Sequence, residues 1–354
     1  MVLNHNKYSM EESQNRLRWG ILATGSIAAS FVEGVINCRL GEVVAVGSRS
    51  QESADRFAER FGGIPNRHPS YQALLEDDSV DAVYIATPHP MHKEWAVKAA
   101  QAGKHILCEK PMGLNVSEAE EIIQEAKDND VFLMEAYMYR CSEQTLQIIK
   151  LIKDGAIGQV KSIEASFSFD IGDNPDGRHL NKALAGGGIL DVGGYPMSMA
   201  GLIAGVANGE TFSEPNEIKA VGFIGTTGVD EYTSAVASFT GGITARLSCG
   251  VALEEPINVS ISGSKGRIFI PVPWKPSPQG GETELQLYKN GVSEPELIKV
   301  KTEKYLYGAE ADAVAQGIEA KEAIFPAMSC DDTLALMRSL DRWREEIGLR
   351  YDGE

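Results

Sequence analysis

Lys110 is the first residue in this 354-residue chain placed to do chemistry. It follows Gly103-Lys104-His105-Ile106-Leu107-Cys108-Glu109, in which His105 to Cys108 has the length and composition of a buried parallel strand. Pro111 stops the strand, because proline cannot donate to a ladder and forces extended geometry on the residue before it. Glu109 and Lys110 therefore sit on stiff backbone at a carboxyl strand end, where open α/β sheets bind ligands. Oxidising a secondary alcohol sends hydride to a nicotinamide and a proton to a base. A tyrosine, with a reference pKa of about 10, needs a nearby cation to act as that base. Lys110 can supply the cation. Further on, Asp191 and Tyr195 stand four residues apart, one helical turn on one face. Asp191 can orient Tyr195 or bind a substrate hydroxyl, and it reads equally well as the N-cap of the helix that follows Gly188-Ile189-Leu190.

Other polar residues cluster around the same expectation. Thr87, Pro88, His89 and His92 follow the apolar run Asp81–Ala86 and are expected to line a nicotinamide pocket. The His-x-x-His spacing of His89 and His92 lacks a cysteine or acid to complete a coordination set, so no metal is expected. Arg178 and His179, in a polar loop before Gly186-Gly187-Gly188, are candidate contacts to a hydroxylated substrate, as is Arg140.

A dinucleotide fingerprint would read G-x-G-x-x-G/A between the first strand and first helix. Here the turn is Ala23-Thr24-Gly25-Ser26-Ile27-Ala28. Gly25 takes the middle position, where backbone must approach a pyrophosphate, and Ala28 the position for close helix packing. Ala23 replaces the first glycine, which requires a turn open to non-glycine residues. The second strand ends in Ser48-Arg49-Ser50, with no acid before Glu52. An arginine flanked by serines suits a 2′-phosphate, so NADP is expected, with NAD the alternative.

The elements that must position these residues alternate along the first half. Strands at Leu17–Ala23, Glu42–Ser48, Asp81–Ala86, His105–Cys108 and Val131–Met134 are separated by helices, which predicts a doubly wound parallel sheet with right-handed crossovers. A helix over Ser142–Lys153 leads to a second half of alternating strands with glycine turns: Val160–Phe169, Ile218–Ile224, Thr233–Phe239, Ile243–Cys249, Asn258–Ser262, Gly266–Ile270 and Glu284–Tyr288. That pattern predicts a meander-like, mostly antiparallel sheet, closed by helices from Gly308 and Asp331. The fold class is α/β: residues 1–16 a loose tail, 17–140 a Rossmann domain, 141–354 an α+β domain for substrate and oligomerisation.

Bulk properties narrow the partners. A net charge of −17 without a basic run argues against nucleic acid and against an anionic membrane surface. Five scattered cysteines without C-x-x-C spacing read as reduced thiols and point to the cytoplasm. The polar start has no apolar leader segment.

Ala86-Thr87-Pro88-His89-Pro90-Met91-His92, Glu109-Lys110-Pro111 and Gly187-Gly188-Ile189-Leu190-Asp191-Val192-Gly193-Gly194-Tyr195 together resemble the glucose–fructose oxidoreductase / inositol dehydrogenase family, Gfo/Idh/MocA. The resemblance is greatest to its branch of dimeric dihydrodiol dehydrogenases and sugar oxidoreductases. It implies hydride transfer on a sugar, polyol or cyclic diol, with Tyr195 at the position of the proton-transferring residue and Lys110 beside it. It also implies a homodimer or higher homo-oligomer through the second sheet. Relatives in the family often follow the arginine at 140 with histidine and proline, where this chain has Cys141-Ser142. The same fold also serves a non-catalytic regulatory protein and cofactor-recycling glycosidases, which stay as alternatives.

Overall fold

The computed structural model describes residues 16–172, 174 and 176–351. The expected tail, apart from Arg16, lies outside them. Five short, mostly apolar runs and one polar one form six parallel strands: β1 (Leu17–Leu22), β2 (Gly41–Gly47), β3 (Asn66–His68), β4 (Ala82–Ile85), β5 (His105–Glu109) and β6 (Leu133–Ala136). Helices α1 (Ser26–Ile36), α2 (Gln51–Arg60), α3 (Tyr71–Leu75), α4 (His92–Gln101) and α5 (Val116–Asp128) connect them. The order β3-β2-β1-β4-β5-β6 reverses between β1 and β4, which opens a crevice at their carboxyl ends. β3 and α3 were not expected from the sequence. β3 is a three-residue polar edge strand, too short and too polar to carry an apolar signal.

Helix α6 (Glu143–Lys153) leads into an eight-stranded sheet. Its strands are β7 (Val160–Ser168), β8 (Glu217–Ile224), β9 (Asp230–Phe239), β10 (Ile243–Gly250), β11 (Val259–Gly263), β12 (Gly266–Ile270), β13 (Gly281–Lys289) and β14 (Glu296–Thr302). The sheet is not one meander. β7 separates β8–β10 from β11–β14 and runs parallel to β10.

Helix α7 (Gly194–Asn208) is buried over residues 194–206 and covers one face of this sheet. Among the described residues, 182–208 is the only helical stretch long and apolar enough to cross a membrane, and it lies wholly inside the protein. The opposite face is bare: Val221 is 76% and Val236 54% exposed, and Phe223 stacks on Tyr232 in the open.

Two late helices turn back to the first sheet. α8 (Leu306–Ala320) packs on α1 so closely that a Cβ on Gly34 would lie 2.6 Å from the Gly308 nitrogen. In α9 (Cys330–Glu346), Thr333 donates to Glu135 at 2.9 Å, and Asp341 accepts from the Val116 amide at 2.9 Å.

Candidate active site

The carboxyl end of β5 delivers Lys110, and the loop before α7 delivers its partner. Lys110 Nζ donates to the Asp191 carbonyl and lies 3.5 Å from Asp191 Oδ1. Both terminal nitrogens of Arg178 stand 3.3 Å from the same oxygen, and His179 Nε2 is 3.6 Å from Oδ2. The Asp191 side chain is only 5% exposed. Burial alone would raise its pKa, but Lys110, then Arg178, outweigh it and hold the carboxyl well below its usual range. Burial, then Arg178, pushes His179 down, so its imidazole is predominantly neutral at neutral pH. The cluster thus carries two fixed cations against one carboxylate, an excess positive charge suited to an oxygen that gains negative charge.

Asp191 does not cap the helix. It lies within a π-type turn, Ile189–Gly193, that runs into α7, and the cap comes from Asp230, whose Oδ2 accepts from the Ile189 amide at 2.7 Å. The sequence expectation for Asp191 is corrected, because the strand that supplies the cap lies some forty residues on, outside any local motif.

Tyr195 is 5% exposed among Phe167, Tyr137 and Trp274, with ring centroids 5.1, 5.2 and 5.6 Å away. Its hydroxyl donates to Met138 Sδ at 3.4 Å, and Lys110 Nζ lies 5.5 Å from its ring centroid. The expected depression of its pKa is not found. Burial, then Tyr307 and Glu109, pushes the phenol well above its ordinary value, while the Lys110 ammonium is turned to Asp191.

Two expected pocket residues face elsewhere. Strand alternation turns Glu109 inward, where the Tyr84 hydroxyl donates to it and burial raises its pKa despite Lys110. His92 is fully buried, with Nδ1 2.7 Å from the Pro111 carbonyl and Nε2 2.9 Å from the Thr87 carbonyl. It ties the two loops together and leaves no ring nitrogen for a ligand. His89, with Nδ1 3.3 Å from the Ala185 carbonyl, is driven neutral by burial, its pKa pushed down to about 3. Thr87 is buried with its hydroxyl unpartnered, and Pro88 beside it is exposed.

Arg140 is corrected outright. It is fully buried, donating to the Pro326 carbonyl at 2.6 Å and pairing with Asp332 at 2.7 Å. A short 3-10 turn, Met138–Cys141, points it into the protein, where it clamps α9.

At the first βα turn, Ala23 has φ 91°, a left-handed conformation that favours glycine. The expectation of a turn open to alanine is therefore wrong. The chain must reverse there while the Ala23 amide bonds the Gly47 carbonyl at 3.1 Å. Gly25 and Ser26 are exposed, Thr24 and Ile27 half-buried, and a Cβ on Gly25 would meet no protein atom within 4 Å. The Thr24 and Ser48 hydroxyls are 3.2 Å apart. Arg49 is exposed without a hydrogen-bond or ion-pair partner among the described residues, and Ser50 caps α2.

Residues 17–137 match the oxidoreductase family GFO_IDH_MocA, described as an NAD-binding Rossmann fold, and 145–269 match its C-terminal domain. The chain belongs to the Gfo/Idh/MocA oxidoreductase family. Among its members, trans-1,2-dihydrobenzene-1,2-diol dehydrogenase of Mus musculus is 33% identical over 95% of this chain and 98% of its own length. An NADP(+) D-xylose 1-dehydrogenase of Haloferax volcanii is 31% identical over 92% of this chain and 95% of its own. A 3-ketoreductase from Actinomadura kijaniata, solved with NADP and TDP-benzene, superposes with a TM-score of 0.82 at 29% identity, covering 94% of this chain and 98% of that one.

This Gfo/Idh/MocA chain also holds functional candidates that its sequence did not reveal. Asp230 is one. Glu135 is another, fully buried and accepting from the Met112 amide at 2.8 Å, just past Lys110-Pro111; burial lifts its pKa to about 7. Glu310 on α8 is fully buried with both carboxylate oxygens unpartnered, and burial raises its pKa well above the usual range. An acid on an apolar helix reads in sequence as a solvated position.

Proposed function

We propose that this chain is an NADP-dependent oxidoreductase that interconverts a hydroxyl and a carbonyl on a sugar, polyol or cyclic diol. The observation that carries the reading is the juxtaposition of an open helix terminus and a cation cluster across one crevice. Five helices, α2, α3, α5, α6 and α9, are capped by Ser50, Ser70, Asn115, Ser142 and Ser329. Like α4, α7 and α8, α1 has no side-chain cap, and it opens at the carboxyl end of β1 beside the point where the strand order reverses. Its first-turn amides are left for a pyrophosphate, and the open space at Gly25 accommodates one. The free guanidinium of Arg49, with Thr24 and Ser48, suits the 2′-phosphate. The turn Ala23–Ile27, the Thr87–His89 loop and Lys110 would border the rest of the dinucleotide.

Bound nicotinamide supplies the acceptor or donor for hydride. The chain handles the proton and the oxygen. Asp191 anchors the Lys110 ammonium, and Lys110, Arg178 and His179 surround the place for the reacting oxygen and stabilise its developing charge. Tyr195, kept protonated by burial and held only by a weak sulfur acceptor, donates its proton as the carbonyl becomes an alcohol and takes it back in the reverse direction. The substrate class is supported by what the relatives are named for: a dihydrodiol dehydrogenase, a xylose dehydrogenase and a 3-ketoreductase. The bare face of the eight-stranded sheet supports assembly as a homodimer or higher homo-oligomer.

The test is a dehydrogenase screen of monosaccharides and cyclic diols with both cofactors, combined with Arg49→Asp. Hydride transfer is expected with NADP. The substitution should weaken NADP by about tenfold or more while leaving NAD near its wild-type affinity. Equal losses for both would overturn the cofactor assignment.

A further inference from the structure

We propose that Asp230 is the positioning residue of this site, its buried carboxylate capping the turn that carries Asp191 and so setting where Asp191 holds Lys110, Arg178 and His179. The inference rests on the functional reading above only in what the positioned cluster does.

Asp230 opens β9, a strand paired with β8 on one side and β10 on the other, so its backbone is anchored within the sheet. The residue is fully buried. Its Oδ2 accepts from the Ile189 amide at 2.7 Å, with the Gly188 amide also directed at the carboxylate. Asp191 is two residues beyond that bond.

The glycine run before the turn makes room for this carboxylate. Gly187 has φ 113°, and a Cβ there would strike Asp230 Oδ1. A Cβ on Gly188 would come within 3.3 Å of Oδ2. The turn Ile189–Gly193 has no cap from its own segment, and with α7 it forms a continuous helical run whose positive amino end faces Asp230.

The position bears a cost that simple capping does not require. Oδ1 has no hydrogen-bond partner, and burial pushes the carboxyl up to about 7, against the opposing charge of Arg344 on α9. Cys249 on β10 faces it as well, its thiol pushed well up by burial and then by Asp230. A serine or asparagine would satisfy the amides more cheaply. A carboxylate supplies a stronger, charge-assisted bond that fixes the turn more tightly.

The experiment compares Asp230→Ala, which removes the acceptor, with Asp230→Asn, which keeps it. NADP binding gives the fraction of folded sites. Per folded site, the alanine variant should lose about tenfold or more in kcat, with NADP affinity within about threefold of wild type. The asparagine variant should recover most of the loss.

The second readout needs no catalysis. The His179 ring, titrated by NMR, feels Arg178, Asp191 and Lys110. Asp191 supports its protonated form, so displacing Asp191 should lower the His179 pKa further in the alanine variant alone. An alanine variant with wild-type kcat and an unmoved His179 titration would overturn the proposal. If that variant does not fold, the wild-type Ile189 amide proton decides: a shift that titrates with a buried carboxyl supports the cap, and a flat profile refutes it. A wild type that transfers no hydride would sink the functional reading, and the two NMR titrations would still judge the cap.

Discussion

Asp191, with Lys110 and Arg178 against it, stays ionised at every pH where the fold is expected to work, so it cannot be the proton carrier. Its part is to anchor the ammonium. Tyr195 is the opposite case, a hydroxyl that burial keeps protonated. The two arrangements lead to one prediction. Lys110→Met and Tyr195→Phe should each lower turnover by about a hundredfold, the scale of a general acid–base group, and the double variant should be little worse than the poorer single one. Because the phenol titrates above its ordinary value, carbonyl reduction should stay flat with pH up to about 10. A limb near neutrality in steady-state rates, unchanged in Tyr195→Phe, would assign the proton to another group. Lys110, Asp191, Arg178 and His179 were legible in the sequence because polar residues at a strand tip and in a glycine-rich loop have few structural duties. Arg140 was misread because the partners that bury it, Pro326 and Asp332, lie 186 and 192 residues further along.

Ala23 at φ 91° is strained where a glycine would not be. Left-handed strain costs an alanine about 1–2 kcal/mol, and the extra freedom of an unfolded glycine costs about 0.4–1 kcal/mol. Ala23→Gly should therefore raise stability by up to about 1.5 kcal/mol, measured by urea unfolding; a lower midpoint with unchanged slope would contradict the strain. Glu135 sets a second element-scale expectation. Its pKa rises from the ordinary 4.5 to about 7 on folding, so the folded state holds its proton longer than the unfolded one. The stabilisation is complete below about 4.5 and is lost as pH climbs through about 7, on the order of 3 kcal/mol. Glu135→Gln should flatten that slope, since the amide can still accept from Met112 and donate to Thr333. An unfolding profile as steep as wild type across this window would rule out Glu135 as its source. The principal parallel strands were legible from short apolar runs at carboxyl-end turns. β14 was passed over although Ile298 and Val300 alternate with Lys299 and Lys301, and the insertion of β7 beside β10 has no local signature, because register between distant strands is settled by packing.

At the scale of the molecule, the bare face of the second sheet exposes Val221, Phe223, Tyr232 and Val236 together. A stable interface needs roughly 800 Å² from each partner, which an eight-stranded face can supply. Light scattering at micromolar concentration should show at least a dimer, and Val236→Asp should shift it towards monomer without lowering the cofactor affinity. A monomeric wild type would refute the assembly. The family resemblance implied assembly through this sheet; which residues a partner meets was not legible, since that depends on two chains.

The return of α8 and α9 onto the first sheet has a consequence for anyone recombining these chains. Gly34 is shaped for the backbone of Gly308, Glu135 for Thr333, and Arg140 for Asp332. A chimera cut at residue 140 would hand the nucleotide half to foreign helices at all three seams. A transplant that keeps residues 306–346 with their native first half, exchanging only the strands and loops between, preserves every one of those seams and is the form in which specificity could be grafted between relatives.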